Sequence, residues 1–453
     1  MKLIVYFNLF LLFFIGYSVA QQSANPRLLI TTDIGGDPDD QQSLVRLMVY
    51  ANEFEIEGLI SSAAGTPGEL KEEIICPELI EEIIRGYKQV YPNLLKHDKR
   101  YPAPEKLLSV VKKGNHKRGW NYVGEGHDTE GSEWIIRCVD KNDKRPLNIC
   151  IFGGQTDLAQ ALWKVKNTRS EKEYQKFISK IRVYDINDQD HIFSNIRENH
   201  PAMFYILTKA PEGADKREGA YRGVYLGGDE QLTSLEWLKQ YVIQNHGTMG
   251  PLYPLKTWTA PNPHGVMKEG DTPSWFFFLN NGLNIPTQPE LGGWGGRFIL
   301  NEKGYYSDAV DSFMDVKNAR ATVFRWRTDF QNDWAARMDW CVNDFGSCNH
   351  APRVIVNRSA GTAPLKITAR PGETITLDAT RSSDSDGHSL VFEWEFYPKN
   401  RNFDKILTNE RNGIARIQMP ELKSGESMSL VLKVRDNGTP RLVSYKRILI
   451  INP

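Results

Sequence analysis

Apolar and polar positions alternate in two different ways, one before about residue 345 and one after residue 349. In the first part, short apolar runs are followed by segments whose apolar residues recur at helical spacing. The runs predict strands at 28–32, 55–62, 147–154, 180–186 and 203–207, and the helical spacing predicts helices at 43–50, 69–87 and 158–165. Buried strands that alternate with helices are typical of a mainly parallel sheet covered on both faces.

After residue 349 the apolar residues alternate with a period of two, which is typical of strands in a β-sandwich. The strands are predicted at 374–377, 390–395, 428–434 and 447–451, with turns at Asp386-Gly387 and Asn437-Gly438. Trp394 is predicted to be the core tryptophan of an immunoglobulin-like module. The acidic segment 382–387 reads as an Asx turn, with a structural Ca²⁺ site as the alternative. We therefore divide the mature chain into domains at 21–348 and 349–453.

The first twenty residues have the pattern of a secretory signal. A basic start at Met1-Lys2 is followed by an apolar core at 3–15 and by small residues up to Ala20. This core is too short to span a membrane comfortably. We expect a signal peptide at 1–20, with an uncleaved anchor as the alternative, and a secreted or periplasmic protein. No later stretch is long and apolar enough to cross a bilayer.

Composition changes this picture in three respects. The 56 basic and 56 acidic residues cancel, which argues against nucleic acid or an anionic membrane surface as a partner. The 11 Trp and 18 Tyr suit a protein that holds sugars, although most aromatic residues belong to cores. Of the five cysteines, Cys341 and Cys348 are close enough in sequence for a local disulfide in an oxidising compartment.

The densest chemistry in the sequence is an acidic run that follows the first strand. Asp33, Asp37, Asp39 and Asp40 fall within eight residues, where a strand gives way to a helix. This is the carboxyl edge of the sheet, where open α/β folds bind ligands. Carboxylates are the hard oxygen ligands that Ca²⁺ prefers. The ordinary alternative is a set of turn formers with a helix N-cap.

Two segments resemble the signatures of nucleoside hydrolases. The run Thr-Asp-Ile-Gly-Gly-Asp-Pro-Asp-Asp at 32–40 is similar to the amino-terminal Asp motif of that family, and 153–162 is similar to its Gly-x-x-Thr-Asn-Leu-Ala motif. The mature chain more closely resembles exported bacterial proteins that join a nucleoside-hydrolase-like domain to an immunoglobulin-like tail. Some of these were named cellulose-binding proteins, and 269–274 and 292–297 match that subgroup.

The resemblance implies a role for several residues. In nucleoside hydrolases a Ca²⁺ ion holds the vicinal hydroxyls of the sugar and a water, and a carboxylate accepts the proton of that water. Asp33 matches this base and also a metal ligand. Asp40 and Asp271 match further ligands, the backbone carbonyl of Thr156 would supply another, and Asp39 matches a contact to a sugar hydroxyl. Three carboxylates and a carbonyl suit Ca²⁺.

The residues expected to line the pocket walls differ from those of nucleoside hydrolases. The family's Asn after the second strand is replaced in 63–66, and its Asn-rich sugar clamp is not evident in 184–190. A glycoside other than a nucleoside, for example one derived from a plant polysaccharide, then becomes the more natural substrate. The candidate leaving-group acids are His127, Asp128, His191 and His264. The candidate substrate contacts are Asp39, His127, Asp190, Trp294 and Arg297, the last two having loop packing and a structural salt bridge as alternatives.

From these residues we expect a hydrolase that cleaves an N- or O-glycosyl bond with the help of Ca²⁺ and with Asp33 as base. The partner is a small glycoside or oligosaccharide. The alternative is a non-catalytic, Ca²⁺-dependent protein that binds carbohydrate, such as cellulose. A third hypothesis, a scaffold that only docks partners, leaves the acidic run unexplained.

Overall fold

The computed structural model describes residues 25–64, 74–255, 266–399, 403, 406–410 and 413–453. The expected signal peptide at 1–20 lies outside these residues. Within the described part of the chain, no helix has the length and apolar character needed to cross a membrane. All five cysteines are free thiols, so Cys341 and Cys348 do not form the disulfide considered from the sequence.

The first part of the chain alternates strands and helices as predicted. Its strands are β1 (Arg27–Thr32), β2 (Glu55–Ser61), β3 (Val111–Lys113), β4 (Leu147–Ile151), β5 (Ile181–Ile186), β6 (Phe204–Thr208), β7 (Phe298–Leu300), β8 (Tyr306–Asp308), β9 (Asp311–Phe313) and β10 (Val316–Asn318). Its helices are α1 (Asp39–Val49), α2 (Pro77–His97), α3 (Pro104–Ser109), α4 (Glu130–Asp140), α5 (Gln155–Thr168), α6 (Glu171–Ile178), α7 (Phe193–Asn199), α8 (Leu235–Leu238), α9 (Thr272–Phe278), α10 (Ala321–Phe324) and α11 (Arg327–Trp340).

Eight of these strands form one sheet in the order β3-β2-β1-β4-β5-β6-β8-β7. All neighbours in this sheet are parallel except β7 and β8. Strands β1 and β4 are buried along their whole length, because helices cover both faces. The strand order reverses direction between β1 and β4, and such a switch point opens a crevice at the carboxyl ends of the two strands. The acidic run begins at this crevice.

The tail is a sandwich of two small sheets, with the orders β13-β19-β18-β15 and β14-β17-β16. Its strands are β11 (Ile355–Val356), β12 (Ser359–Ala360), β13 (Leu365–Thr368), β14 (Thr374–Asp378), β15 (Val391–Phe396), β16 (Leu407–Glu410), β17 (Ile414–Gln418), β18 (Ser427–Arg435) and β19 (Val443–Ile451). Trp394 is buried in the core between the sheets, as predicted. The predicted fold class, an α/β sheet domain followed by an all-β sandwich, is confirmed.

The two parts pack against each other through buried polar side chains. The guanidinium of Arg447 in β19 is fully buried and donates to the backbone carbonyls of Leu283, Leu291 and Gly292 in the first part. It also donates to Ser429 Oγ within the tail. The connection runs from the end of α11 to the start of β11, and the proposed boundary at 348/349 falls within it.

Candidate functional site

The site is built where β1 ends and α1 begins. Asp33 follows β1 directly and is buried, while Asp39 and Asp40 form the first turn of α1. Across the switch point, Gly153 follows β4. A Cβ atom on Gly153 would lie 2.5 Å from the Asp33 Cγ atom, so the glycine makes room for this carboxylate. The two strand ends thus bring the acidic run into one crevice.

A segment distant in sequence completes the acidic wall. Gln42 in α1 donates from Nε2 to the carbonyl of Val266 and accepts from the backbone N–H of Lys268, both at 2.8 Å. The buried Arg46 forms an ion pair with Glu269 at 2.7 Å. These contacts fix the segment that leads into α9, with the result that Asp271 faces the first turn of α1.

Asp39, Asp40 and Asp271 form a compact group of carboxylates. One oxygen of each lies within 4.8 Å of the other two. The Oδ2 atom of Asp271 is buried and has no hydrogen-bond partner among the described residues. Buried carboxylates without partners are costly unless a cation or a proton compensates them. This donor set fits a hard divalent cation such as Ca²⁺.

The electrostatics of the group favour protons or a cation. Burial raises the pKa of Asp33 to about 6 against the opposing charge of Arg118, and the charge of Asp190 contributes to the rise. Burial and the neighbouring Asp37 raise the pKa of Asp39 to about 8. The pKa values of Asp40 and Asp271 are also raised, first by burial and then by the other carboxylates.

Arg118, which the sequence analysis did not single out, lies inside the crevice. Its Nη2 atom donates to Asp33 Oδ2 at 3.1 Å and to the carbonyl of Ala63 at 2.7 Å. Its Nη1 atom lies 3.7 Å from Asp190 Oδ1. Asp33 is therefore bonded to a guanidinium and stands beside the compact carboxylate group, as a neighbour of Asp40.

Two further basic residues face the site. Lys268 is buried and forms an ion pair with Asp37, which gives a structural role to an acid whose function the sequence left open. Arg222 donates to the hydroxyls of Tyr221 and Tyr225, and its charge lowers the pKa of Asp39. No local motif marks Arg118, Lys268 or Arg222, because each reaches the site from a loop or a short turn distant in sequence.

The structure brings Asp190 into the site and gives Thr156 a different role from the one predicted. Thr156 donates from its backbone N–H and its hydroxyl to Asp190 Oδ2, at 2.8 and 2.7 Å. Because Thr156 lies in the first turn of α5, its carbonyl points along the helix, away from the strand ends. The prediction that this carbonyl is a metal ligand is therefore corrected: Thr156 positions Asp190 instead.

Two predicted substrate contacts lie elsewhere. The Trp294 side chain is only 3% exposed, and its Nε1 atom donates to the Tyr445 hydroxyl of the tail at 3.0 Å. Arg297 binds Asp311 at 2.8 Å and the carbonyl of Val310 at 2.7 Å. Both predictions are wrong, because the glycine-rich loop that carries these residues packs into the interior and against the tail.

Among the described residues, no contact connects a candidate leaving-group acid to the site. His127 packs edge-on against the Tyr122 ring, and Asp128 binds Lys164 and Gln160. His191 is exposed. His264 lies outside the described residues. The roles predicted for these four residues stay predictions.

With the geometry established, the comparisons with known proteins decide the family. The model of a domain described as "Cellulose-binding Sde182, nucleoside hydrolase-like domain" matches residues 27–298, more than half of the chain. The chain belongs to this cellulose-binding Sde182 family. The tail agrees, since the model "Cellulose-binding protein Sde0182, C-terminal domain" matches residues 374–452. The resemblance drawn from the motifs is thereby confirmed.

A solved structure extends the Sde182 match over both parts. A nucleoside hydrolase-related hypothetical protein from Saccharophagus degradans, described as associated with carbohydrate metabolism, is 34% identical, with a TM-score of 0.79. The match covers 95% of this chain and 100% of that chain.

Two weaker structural similarities have TM-scores too low to support an inference about this chain. The PKD domain from the KIAA 1837 protein is 20% identical over 20% of this chain and 80% of its own, with a TM-score of 0.15. An endo-fucoidan hydrolase of glycoside hydrolase family 107 is 9% identical over 94% of this chain and 67% of its own, with a TM-score of 0.19. No curated protein matches the chain in sequence.

Proposed function

We propose that this Sde182-family protein hydrolyses a glycosyl bond in a carbohydrate-derived glycoside. The observation that carries the proposal is the group of Asp39, Asp40 and Asp271, of which Asp40 and Asp271 are buried, beside Asp33 at the switch point of the sheet. The group concentrates negative charge in one place. It suits a reaction that stabilises positive charge at an anomeric carbon.

Asp40, Asp271 and Asp39 would hold a Ca²⁺ ion, with Asp33 beside them. When bound, Ca²⁺ would grip the vicinal hydroxyls of a sugar and lower the pKa values of the surrounding carboxylates. The unpartnered Asp271 Oδ2 supports this assignment, because it is buried with nothing else to compensate it.

Asp33 is the proposed general base. Without a bound cation its pKa is about 6, and bound Ca²⁺ would lower this pKa, so Asp33 is ionised at neutral pH and able to accept a proton from an attacking water. The Arg118 guanidinium keeps Asp33 ionised in spite of its burial. Asp190, held by Thr156, offers a second acceptor for a substrate hydroxyl: its Oδ1 atom is buried and has no hydrogen-bond partner among the described residues.

A second candidate function is Ca²⁺-dependent carbohydrate binding without catalysis. One contact favours it: Arg118 already engages the carboxylate that would act as base. The family description names cellulose binding, and a secreted or periplasmic protein that meets plant polysaccharide fits either function. In this reading, Asp33 and Arg118 form a fixed pair that contacts sugar hydroxyls.

The Asp33→Asn variant distinguishes hydrolysis from binding without catalysis. We would measure turnover of a panel of aryl glycosides, nucleosides and cello-oligosaccharides, and binding to the same compounds by calorimetry, with Ca²⁺ and with EGTA. Hydrolysis predicts that Asp33→Asn loses turnover by about 100-fold or more while sugar binding persists. The exposed Asp215→Asn variant serves as the matched control.

If the wild-type protein turns over no member of the panel, yet binds a sugar only when Ca²⁺ is present, the hydrolase proposal falls and the binding function stands. If the purified protein takes up no Ca²⁺ at all, both lose their basis.

A further inference from the structure

A second group of potential metal ligands lies in the tail, away from the crevice. Asp384, Asp386 and His388 each offer one ligand atom, and these atoms lie within 4.8 Å of one another. They occupy alternate positions in the loop between β14 and β15, with Gly387 in a left-handed conformation at the turn. The spacing directs three side chains of one short loop towards a common point.

The loop is an Asx turn, as predicted, but the turn uses only half of the Asp384 carboxylate. Its Oδ1 atom accepts from the backbone N–H groups of Asp386 and His388, at 2.8 and 3.2 Å. Its Oδ2 atom is buried and has no hydrogen-bond partner in the described part of the chain, and the whole side chain is 1% exposed. A buried carboxylate oxygen without a partner is costly unless a cation or a proton compensates it.

The surroundings are also acidic. Asp436 lies close enough for the charge of Asp384 to add to the rise that burial causes in its pKa, and its oxygens already accept from the N–H groups of Gly438 and Leu442. Within the described ranges, no lysine or arginine forms an ion pair with Asp384 or Asp386; only histidines do. The group therefore carries negative charge that no lysine or arginine of the described residues offsets by an ion pair.

The donor set indicates which kind of cation fits. An imidazole nitrogen beside two carboxylate oxygens suits first-row transition metals such as Zn²⁺ better than Ca²⁺, which takes oxygen ligands. The Nδ1 atom of His388 is buried, has no hydrogen-bond partner and lies 3.6 Å from Asp384 Oδ1. The separations of up to 4.8 Å need only small side-chain rotations to place each atom about 2.0–2.3 Å from one ion.

An open cleft of about 570 Å³ exposes Asp386 and His388 of this group to solvent and also touches the connection between the two parts, at Phe345 and Cys348. Water can therefore enter and complete the coordination. Asp386 also accepts from His350 at the start of the tail, and His350 is hydrogen-bonded to His97 of α2 at 2.9 Å. An ion bound here would stabilise the contact between the tail and the first part.

We propose that Asp384, Asp386 and His388 form a binding site for a divalent transition-metal cation such as Zn²⁺ at the junction of the two parts. This site is independent of the carboxylate group at the switch point and of its proposed function.

The experiment measures Zn²⁺ bound to the full chain, freed of any affinity tag and stripped with EDTA, by equilibrium dialysis and elemental analysis. We expect Asp384→Asn and His388→Gln each to lose one equivalent that the wild type and Asp40→Asn retain. His116→Gln, which changes an exposed histidine of the first part, is the matched control. Zn²⁺ should raise the Tm of the wild type by roughly 2–4 °C and leave that of His388→Gln unchanged.

The side chain of Asp384 is buried, so a loss of Zn²⁺ binding in its variant is also the result expected from misfolding. His388 is one-third exposed, and its variant tests the site without this ambiguity. The proposal is overturned if His388→Gln binds as much Zn²⁺ as the wild type, or if the wild type takes up no Zn²⁺. Uptake of Ca²⁺ alone, insensitive to His388→Gln, would overturn the transition-metal assignment.

Discussion

At the scale of single residues, the crevice holds more negative charge than its three nearby cations compensate. Arg118 and Lys268 each engage one carboxylate, Asp33 and Asp37 respectively. Arg222 is the third cation, and its single charge does not balance the three carboxylates of the compact group, Asp39, Asp40 and Asp271. Burial raises the pKa values of these three carboxylates, and the excess of negative charge raises them further.

The first prediction concerns stability and pH without metal. Because burial raises the pKa of Asp33 to about 6, the folded protein holds this proton more tightly than the unfolded chain does. The stability linked to Asp33 is therefore complete below about pH 4 and is lost as the pH rises through about 6. In EDTA, we expect the free energy of unfolding to fall by roughly 1–2 kcal/mol between pH 5 and 7.5 on this account.

The measurement is denaturant unfolding of the wild type and of Asp33→Asn at both pH values. Other groups titrate in this range, so the informative quantity is the difference between the two proteins. Added Ca²⁺ should cancel most of the loss, because it stabilises the ionised form. An Asp33→Asn variant with the same pH dependence as the wild type would contradict the prediction.

The second prediction concerns Arg118. Its guanidinium places a positive charge 3.1 Å from Asp33, next to the proposed cation site, and so repels a bound Ca²⁺. Arg118→Gln should bind Ca²⁺ several-fold more tightly at pH 8, as measured by calorimetry. Arg217→Gln, at an exposed arginine paired with Asp215, should leave the affinity unchanged. Weaker Ca²⁺ binding by Arg118→Gln would show that Arg118 positions the ligands instead.

The acids of the crevice could be predicted from the sequence, whereas its cations could not. Asp33, Asp39 and Asp40 lie close together in the chain and directly after a strand, so their spacing and the sheet edge place them. Arg118 and Lys268 reach the site through tertiary packing. Trp294 and Arg297 show the converse error, since glycines around a ring or a guanidinium give no information about which side of a loop is buried.

At the scale of elements, the site depends on two strand ends that meet at the switch point. The β1–α1 junction supplies Asp33, Asp39 and Asp40, and the β4–α5 junction supplies the glycine that lets Asp33 lie against the neighbouring strand end. The hydrogen bonds of Gln42 then hold the segment before α9 against α1. The β1–α1 junction, the β4–α5 junction and the segment before α9 each form one wall of the crevice.

The third prediction tests this close approach. In Gly153→Ala the new Cβ atom would lie 2.5 Å from Asp33 Cγ, so either Asp33 or the strand end must move. We expect a stability loss of about 1–3 kcal/mol and a loss of Ca²⁺ affinity of more than about tenfold. Thermal unfolding and calorimetry measure the two effects.

Gly346→Ala is the control, because a Cβ atom there meets nothing within 4 Å. If Gly153→Ala binds Ca²⁺ like the wild type, then Asp33 is not held where the cation acts.

The parallel sheet itself could be predicted, because strands buried on both faces give continuous apolar runs. Strands β1, β2, β4, β5 and β6 all lie within or beside the segments expected from the sequence. The short strands β7 and β8 escaped detection. Strand β8, Tyr-Ser-Asp, contains no apolar run. The apolar run of β7, Phe-Ile-Leu, has only three residues and is too short to indicate a strand from the sequence.

At the scale of the whole molecule, the tail is part of the structure that supports the first domain. The Tyr445 hydroxyl in β19 accepts from Trp294 Nε1 and donates to Asp329 Oδ2 of α11 at 2.6 Å. Arg435 in β18 binds the same aspartate. The glycine-rich segment that carries Trp294 is thus held by the tail, and the match to the 34% identical relative spans both parts.

The last prediction follows from this buried network. Tyr445→Phe keeps the ring packing but leaves Trp294 Nε1 without its acceptor and removes a donor to the buried Asp329. The free energy of unfolding should fall by about 1–3 kcal/mol. Because the hydroxyl joins the two parts, calorimetry should show one unfolding transition in the wild type and a broadened or divided one in the variant. Tyr241→Phe, at a partly exposed tyrosine that packs on Trp237, should keep the single transition; two well-separated transitions in the wild type itself would contradict the coupling.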